Sequence, residues 1–228
     1  MKTIYILAAA GIGKRMGLDY PKQFLEFDNE PIFIKSLKTL SNSSVIDEII
    51  IVTNKEYIEK VKNLVKDFNI KKIRAVISGG KERQDSIYNA IKTINNIHEY
   101  YVGIHDGVRP FIQEKHIIEA WKALETEKNI DGVVIAVPVK DTIKIINKNG
   151  FVEETPNRNN LISAQTPQIF RGAILKKAYE FATKEKFLGT DDSSLVENIN
   201  GAVKYLEGAY DNVKITTVED LLHFHNRG

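Results

Sequence analysis

Cysteine is absent from the chain, and with it any disulfide framework, zinc-thiolate site or thiol nucleophile. That fits a reducing compartment, and a cytoplasmic location is expected. A surplus of charge of either sign is missing too. Lysine and arginine total 32 against 30 aspartates and glutamates, a net of +2. Proteins that grip nucleic acid or a membrane surface usually carry a basic excess, so neither partner is expected. A local basic pocket for one phosphorylated ligand stays open, because net charge says nothing about clustering. No apolar run approaches the roughly 18 residues of a membrane span. Internal repeats and low-complexity linkers are lacking as well. A composition that is 43% hydrophobic and 27% charged excludes wholesale disorder. Residues 1–228 are therefore expected to form one α/β domain with, at most, a small appendage.

What is present is an alternation of strand-like and helix-like stretches, the mark of a largely parallel sheet with helices on both faces. Met1-Lys2 and the apolar residues after them have the outline of a short signal peptide, but the run is barely long enough. Residues 4–10 make better sense as a strand feeding a ligand loop at 11–17. Further strands are expected over 49–53, 73–77, 100–104, 132–138 and 203–207, and helices over 31–40, 55–67, 83–94, 115–126, 173–183 and 218–225. Residues 139–161 behave differently. Ile143, Ile145, Phe151 and Val152 lie among polar residues around a turn at Lys148-Asn149-Gly150, and no helix follows directly. This is a hairpin signature, read as a β-arm projecting from the domain.

In such sheets the ligand sits outside the carboxyl ends of the strands, where the sharpest polar clusters fall. The first is Ala8-Ala9-Ala10-Gly11-Ile12-Gly13-Lys14-Arg15-Met16-Gly17, followed by Pro21-Lys22-Gln23. Small residues let the backbone approach a ligand, and successive N–H groups can cradle phosphate oxygens. Arg15 and Lys22 add the charge a triphosphate needs. Met16 stands where a dinucleotide fingerprint wants its third glycine, and Leu18 after Gly17 breaks a Walker A loop. The second cluster, Gly79 to Ser86, is either a turn with a helix cap or a base-reading loop in which Gly80 allows close approach and Ser86 supplies a hydrogen bond. In the third, His105-Asp106-Gly107-Val108-Arg109-Pro110, Asp106 can hold Mg²⁺ together with substrate phosphates and Arg109 can grip an anion. His105 reads as a packed imidazole. Arg158 suits bidentate recognition of a terminal phosphate, and Thr142 and Thr166 can bond hydroxyls or phosphate oxygens. Asp191-Asp192 reads equally as a helix cap or a functional pair. Asp211 offers a second metal carboxylate beside Lys214.

These clusters, in this order, resemble the 2-C-methyl-D-erythritol 4-phosphate cytidylyltransferases of the non-mevalonate isoprenoid pathway, over nearly the whole chain from Ala8 to Leu221. The specific pieces are Arg15-Met16-Gly17 with Pro21-Lys22-Gln23, Arg83 to Ser86, His105 to Pro110, Asp141-Thr142, Thr166-Pro167-Gln168 and Asn212 to Thr216. The resemblance implies a Rossmann-like fold of the nucleotide-diphospho-sugar transferase type. It also implies transfer of CMP from CTP to the alcohol phosphate with release of pyrophosphate. Arg15, Lys22 and Lys214 would be the catalytic cations, and Ala9, Ala10, Gly11, Gly13, Gly80 and Ser86 would bind CTP. Asp106, Arg109, Thr142, Arg158 and Thr166 would bind the acceptor, with Mg²⁺ on Asp106 and Asp211. The arm would exchange with a second subunit, so that Thr142 and Arg158 act across a homodimer interface.

There are departures. Gly107-Val108 replaces the commoner Ala-Ala, and Lys81 stands where some members carry an acid. Asn157 before Arg158 is similar to the related ribitol 5-phosphate cytidylyltransferases, which leaves that acceptor as an alternative. A non-catalytic nucleotide-binding module is another; charge placed at a reacting phosphorus argues against it.

Overall fold

Strands covered on both faces are apolar without alternation, and Ile4-Tyr5-Ile6-Leu7 and Ile49-Ile50-Ile51-Val52 are such runs. A computed structural model describes residues 1–11, 20–216 and 220. Gly13, Arg15 and all but residue 220 of the helix expected over 218–225 lie outside the described residues.

The chain opens with β1 (Lys2–Ala9), then a two-stranded ladder of β2 (Glu26–Phe27) and β3 (Glu30–Pro31). There follow α1 (Ile32–Asn42), β4 (Glu48–Thr53), α2 (Ile58–Asp67), β5 (Ile73–Ser78), α3 (Arg83–Ile91), β6 (Tyr100–Asp106), α4 (Glu114–Thr126) and β7 (Gly132–Pro138). After β8 (Ile145–Ile146) and β9 (Val152–Glu154) come β10 (Ile162–Arg171), α5 (Gly172–Glu185), α6 (Asp192–Glu197) and β11 (Val203–Glu207). Seven strands form one sheet in the order β11-β7-β10-β6-β1-β4-β5. Six are parallel, and β10 runs against its neighbours β6 and β7.

Alternate side chains of a strand point to opposite faces, and each face carries its own helices. Tyr5 and Leu7 pack with Phe33 and Leu37 of α1, Val61 of α2 and Ile117 and Leu124 of α4. Ile4 and Ile6 pack with Ile87 of α3, Leu175 of α5 and Leu195 of α6. Gly103 on β6 lies beside Tyr5, where any Cβ would overlap the phenol ring. The two cores stiffen β1, β4, β5 and β6, whose carboxyl ends then form a fixed edge.

Two ladders go beyond the sequence reading. The β2–β3 pair is one. The other is β10, whose middle carries Gln165, Thr166, Pro167 and Gln168, residues that read as loop because proline cannot donate to a ladder. The register against β7 slips between Ala164 and Gln168. A bulge of this kind re-aims side chains, and the freed polar groups bond sideways: Gln165 Nε2 donates to the Ala209 carbonyl at 3.0 Å. The arm over 139–161 folds as a hairpin. β8 pairs antiparallel with β9, and Asn147 Oδ1 accepts from the N–H groups of Asn149 and Phe151. Gly150 closes the turn at φ 83°. Ile146 and Phe151 are 61% and 70% exposed, so the described residues leave them largely uncovered.

Candidate active site

A cleft of about 520 Å³ opens at the carboxyl edge of β1, β4, β5 and β6. Its floor is Ala8, Ala9, Ala10 and Gly11 at the end of β1. Among the described residues a Cβ on Gly11 would meet nothing within 4 Å, which leaves room for a ligand to approach this backbone. Lys22 is brought to the rim by its neighbour. Gln23 is buried and donates from Nε2 to the Ala9 carbonyl at 2.6 Å, which pins the short turn Lys22–Phe24 against β1.

The opposite wall is an ion cluster. Asp106 ends β6 and is 5% exposed. Its Oδ1 accepts from Arg83 Nε at 3.1 Å, its Oδ2 accepts from Lys214 Nζ at 2.7 Å, and Arg109 Nε stands 3.7 Å from Oδ2. Burial alone would raise this carboxyl, but Arg83, Lys214 and Arg109 outweigh it and hold it far below the ordinary carboxylate range. Asp106 is therefore an anion at any working pH and cannot serve as a general base. It orients cations.

Behind Asp106 a chain of hydrogen bonds fixes the backbone. The Asp106 N–H donates to Thr166 Oγ1 at 3.0 Å, Thr166 Oγ1 lies 3.0 Å from His105 Nδ1, and His105 Nε2 lies 3.1 Å from the Arg109 carbonyl. A carbonyl only accepts, so Nε2 carries the proton and Thr166 donates to Nδ1. Burial lowers His105 to about 4, in keeping with this neutral ring. His105 is the packed imidazole the sequence suggests. Thr166, expected to meet the acceptor, has its hydroxyl committed inside the protein.

The other expected residues fall into three groups. Gly80 and Ser86 line the cleft with Ala9, Ala10 and Gly11, but Ser86 is employed locally: it accepts from the Gly80 N–H and donates to the Glu82 carbonyl, both at 2.9 Å. Arg109 lies under the cluster and donates from Nη1 to the Asn212 carbonyl at 2.8 Å. Asn212 in turn donates to Gln165 Oε1 and the Thr166 carbonyl, and so seats the loop that delivers Lys214. Thr142 and Arg158 are not brought to the cleft. Thr142 is exposed, and Arg158 donates to the Lys140 carbonyl at 2.7 Å beside a separate hollow of about 390 Å³ at the root of the arm, shared with Tyr210.

Asp211, expected as the second metal carboxylate, does not line the cleft that Asp106 lines. It lies near Gln113 Nε2, 3.5 Å away. Among the described residues no three potential acidic, histidine or cysteine ligands come together. With both Asp106 oxygens already facing cations, these residues do not fit a two-carboxylate metal centre.

Arg83, which the sequence reading leaves without a role of its own, is the main addition. Asp85 Oδ2 accepts from the Glu82 N–H at 3.1 Å, a capping pattern readable from sequence. It sets Arg83 in the first turn of α3, at the sheet's carboxyl edge.

Comparison with known proteins identifies relatives across nearly the whole chain. A family model described as 2-C-methyl-D-erythritol 4-phosphate cytidylyltransferase matches residues 3–225. The chain is 50% identical over 221 residues to the protein of that name from Fusobacterium nucleatum, covering 96% of this chain and 94% of that one. It is 44% identical over 217 residues to the one from Clostridioides difficile, covering 95% and 89%. Among solved structures, 4-diphosphocytidyl-2C-methyl-D-erythritol synthase from Anaerococcus prevotii superposes with a TM-score of 0.86 at 33% identity, over 99% of this chain and 95% of that one. The Francisella tularensis 2-C-methyl-D-erythritol 4-phosphate cytidylyltransferase gives 0.83 at 29% identity, over 99% of both.

Proposed function

The chain belongs to the 2-C-methyl-D-erythritol 4-phosphate cytidylyltransferase family, and from that premise we propose that it transfers CMP from CTP to 2-C-methyl-D-erythritol 4-phosphate. The products are 4-diphosphocytidyl-2-C-methyl-D-erythritol, for the non-mevalonate isoprenoid pathway, and pyrophosphate. The observation that carries the reading is one cleft with an open Ala-Gly strand end, Lys22 on its rim and Arg83 and Lys214 held on the buried Asp106.

An oxygen of the acceptor's phosphate attacks the α-phosphorus of CTP, a new P–O bond forms, and the bond to the β-phosphate oxygen breaks. A phosphate monoester is ionised already, so no strong base is needed, in keeping with an Asp106 that cannot take a proton. Catalysis is positioning and charge neutralisation. Ala9, Ala10, Gly11, Gly13, Gly80 and Ser86 would hold CTP, and Arg15 and Lys22 would face its phosphates. Lys214, steered by Asp106 and backed by Arg109 and Thr166, would face the acceptor. Mg²⁺ would enter this proposal as the counter-ion the triphosphate brings, with Asp106 as the carboxylate that would hold it; no step depends on Asp211.

Thr142 and Arg158 lie away from the cleft of their own chain, and the uncovered apolar residues of the arm call for a partner. Both support a homodimer in which the arms exchange and each Arg158 serves the other subunit's acceptor site. A cytoplasmic enzyme fits the lack of cysteine, and no helix among the described residues is long and apolar enough to cross a membrane.

The test is pyrophosphate release from CTP with each alcohol phosphate in turn. Turnover with 2-C-methyl-D-erythritol 4-phosphate well above that with ribitol 5-phosphate is expected. Preference for ribitol 5-phosphate would overturn the acceptor, and no release with either would leave a binding module.

A further inference from the structure

Two side chains that line no part of the cleft hold one that does. Arg83 spreads its guanidinium between two carboxylates, Nε to Asp106 Oδ1 at 3.1 Å and Nη2 to Asp192 Oδ2 at 2.8 Å. Asp192 is 1% exposed, and its other oxygen, Oδ1, accepts from the hydroxyl of the equally buried Tyr179 on α5. Helix capping does not explain Asp192, because its neighbour Asp191 does that work, accepting from the Ser194 N–H at 2.9 Å. Stability does not explain it well either, since buried ion pairs seldom outperform the apolar residues that could replace them. A guanidinium is planar, with donors in a fixed fork. Gripped at two edges it keeps one orientation, and its Nε then occupies Oδ1 of Asp106. That leaves Oδ2 to accept from Lys214 at 2.7 Å, with Arg109 farther off at 3.7 Å.

The geometry points to Tyr179 and Asp192 as positioning residues for the acceptor half of the transfer: they orient Arg83, Arg83 orients Asp106, and Asp106 sets the ammonium of Lys214. Burial, and then the charge of Asp192, raise the Tyr179 phenol well above its ordinary value, so its hydroxyl stays a donor. The inference rests on the proposed function.

The experiment uses the full chain with CTP and 2-C-methyl-D-erythritol 4-phosphate. Tyr179→Phe removes one hydroxyl from a packed site, and Asp192→Asn removes the charge at constant shape. Each is expected to lower kcat/KM for the acceptor about tenfold, the scale of one hydrogen bond to a charged group, while KM for CTP stays near wild type. Both variants also lose some melting temperature because they unpair a buried group, so the split between the two substrates is the readout of positioning. Tyr179→Phe is then repeated in an Arg83→Lys background, which lacks the fork. If Tyr179 acts through Arg83, the second loss shrinks below about threefold, because groups in one network are not additive. Wild-type acceptor kinetics in both single variants would overturn the inference. So would an undiminished loss in the Arg83→Lys background, or a matched fall for both substrates. Wild-type pyrophosphate release in the same assay keeps the proposed function standing whichever way the variants fall.

Discussion

The ammonium of Lys214 rests 2.7 Å from Oδ2 of Asp106, and this contact fastens the loop beyond β11 to the end of β6. Asp106 keeps Arg83 and Arg109 if Lys214 is removed, so the fold does not depend on it. Lys214→Ala is expected to lower turnover on the order of a hundredfold, the cost of one donor aimed at developing charge, with little change in melting temperature. Turnover within a few-fold of wild type would remove Lys214 from the reacting centre.

The two aspartates expected to share a metal separate experimentally. Asp106→Asn strips the shared counter-ion from three cations, and Arg109, whose side chain is 11% exposed, feels it most. Breaking a buried pair costs about 3–5 kcal/mol, and the exposure of Arg83 and Lys214 reduces this to about 2–3 kcal/mol. Urea denaturation reads that loss. Asp211→Asn is expected to change stability by less than about 0.5 kcal/mol and to keep near-wild-type turnover. Chelation with EDTA should stop the wild type and Asp211→Asn alike, and added Mg²⁺ should restore both, if the ion arrives with CTP as proposed.

His105 gives stability a dependence on acid. Burial lowers its folded-state value to about 4, against about 6.5 in an unfolded chain. Between these values the unfolded chain binds the extra proton, so stability falls as pH drops from about 6.5 toward 4 and is fully present above that window. The loss is on the order of 3 kcal/mol. Denaturant midpoints measured across that window should fall in the wild type and fall less steeply in His105→Gln, the remaining slope belonging to His116, which burial also lowers. A slope undiminished by the substitution would assign it to another group.

Legibility followed physical simplicity. β7 over Gly132–Pro138 and β11 over Val203–Glu207 were readable to the residue, the first because an unbroken apolar run has few other uses and the second because Val203, Tyr205 and Leu206 are strand-favouring residues bounded by turn-prone neighbours. The three polar clusters at the ends of β1, β5 and β6 were readable because a parallel sheet gathers its strand ends along one edge. β10 was not, since Gln165, Thr166 and Gln168 satisfy partners distant in sequence rather than a pattern within it. The same reason hid the fork of Arg83, whose partners Asp106 and Asp192 meet only in the folded chain. For Asp191-Asp192 the sequence offered capping or function as one choice, and the fold divides it: Asp191 caps α6 and Asp192 holds Arg83.

The arm carries the most exposed prediction. An isolated two-stranded hairpin is at best marginally stable in water, yet β8 and β9 leave Ile146 and Phe151 more than half uncovered. Exchange of an identical element between two protomers would cover them. It would also carry Arg158 from the root of its own arm to the cleft of the other subunit. Lys22→Ala damages the cleft of the chain that bears it, and Arg158→Ala damages the cleft its arm visits. Each variant alone is expected to be nearly inactive. In a mixed dimer one cleft receives both lesions and the other receives none. Random pairing makes half the dimers mixed, so co-refolded variants should recover up to about a quarter of the wild-type rate. Mass measurement under native conditions verifies that mixed dimers have formed. If they are present and activity stays at the sum of the separate variants, Arg158 works within its own chain; a monomer at assay concentration would rule out exchange altogether.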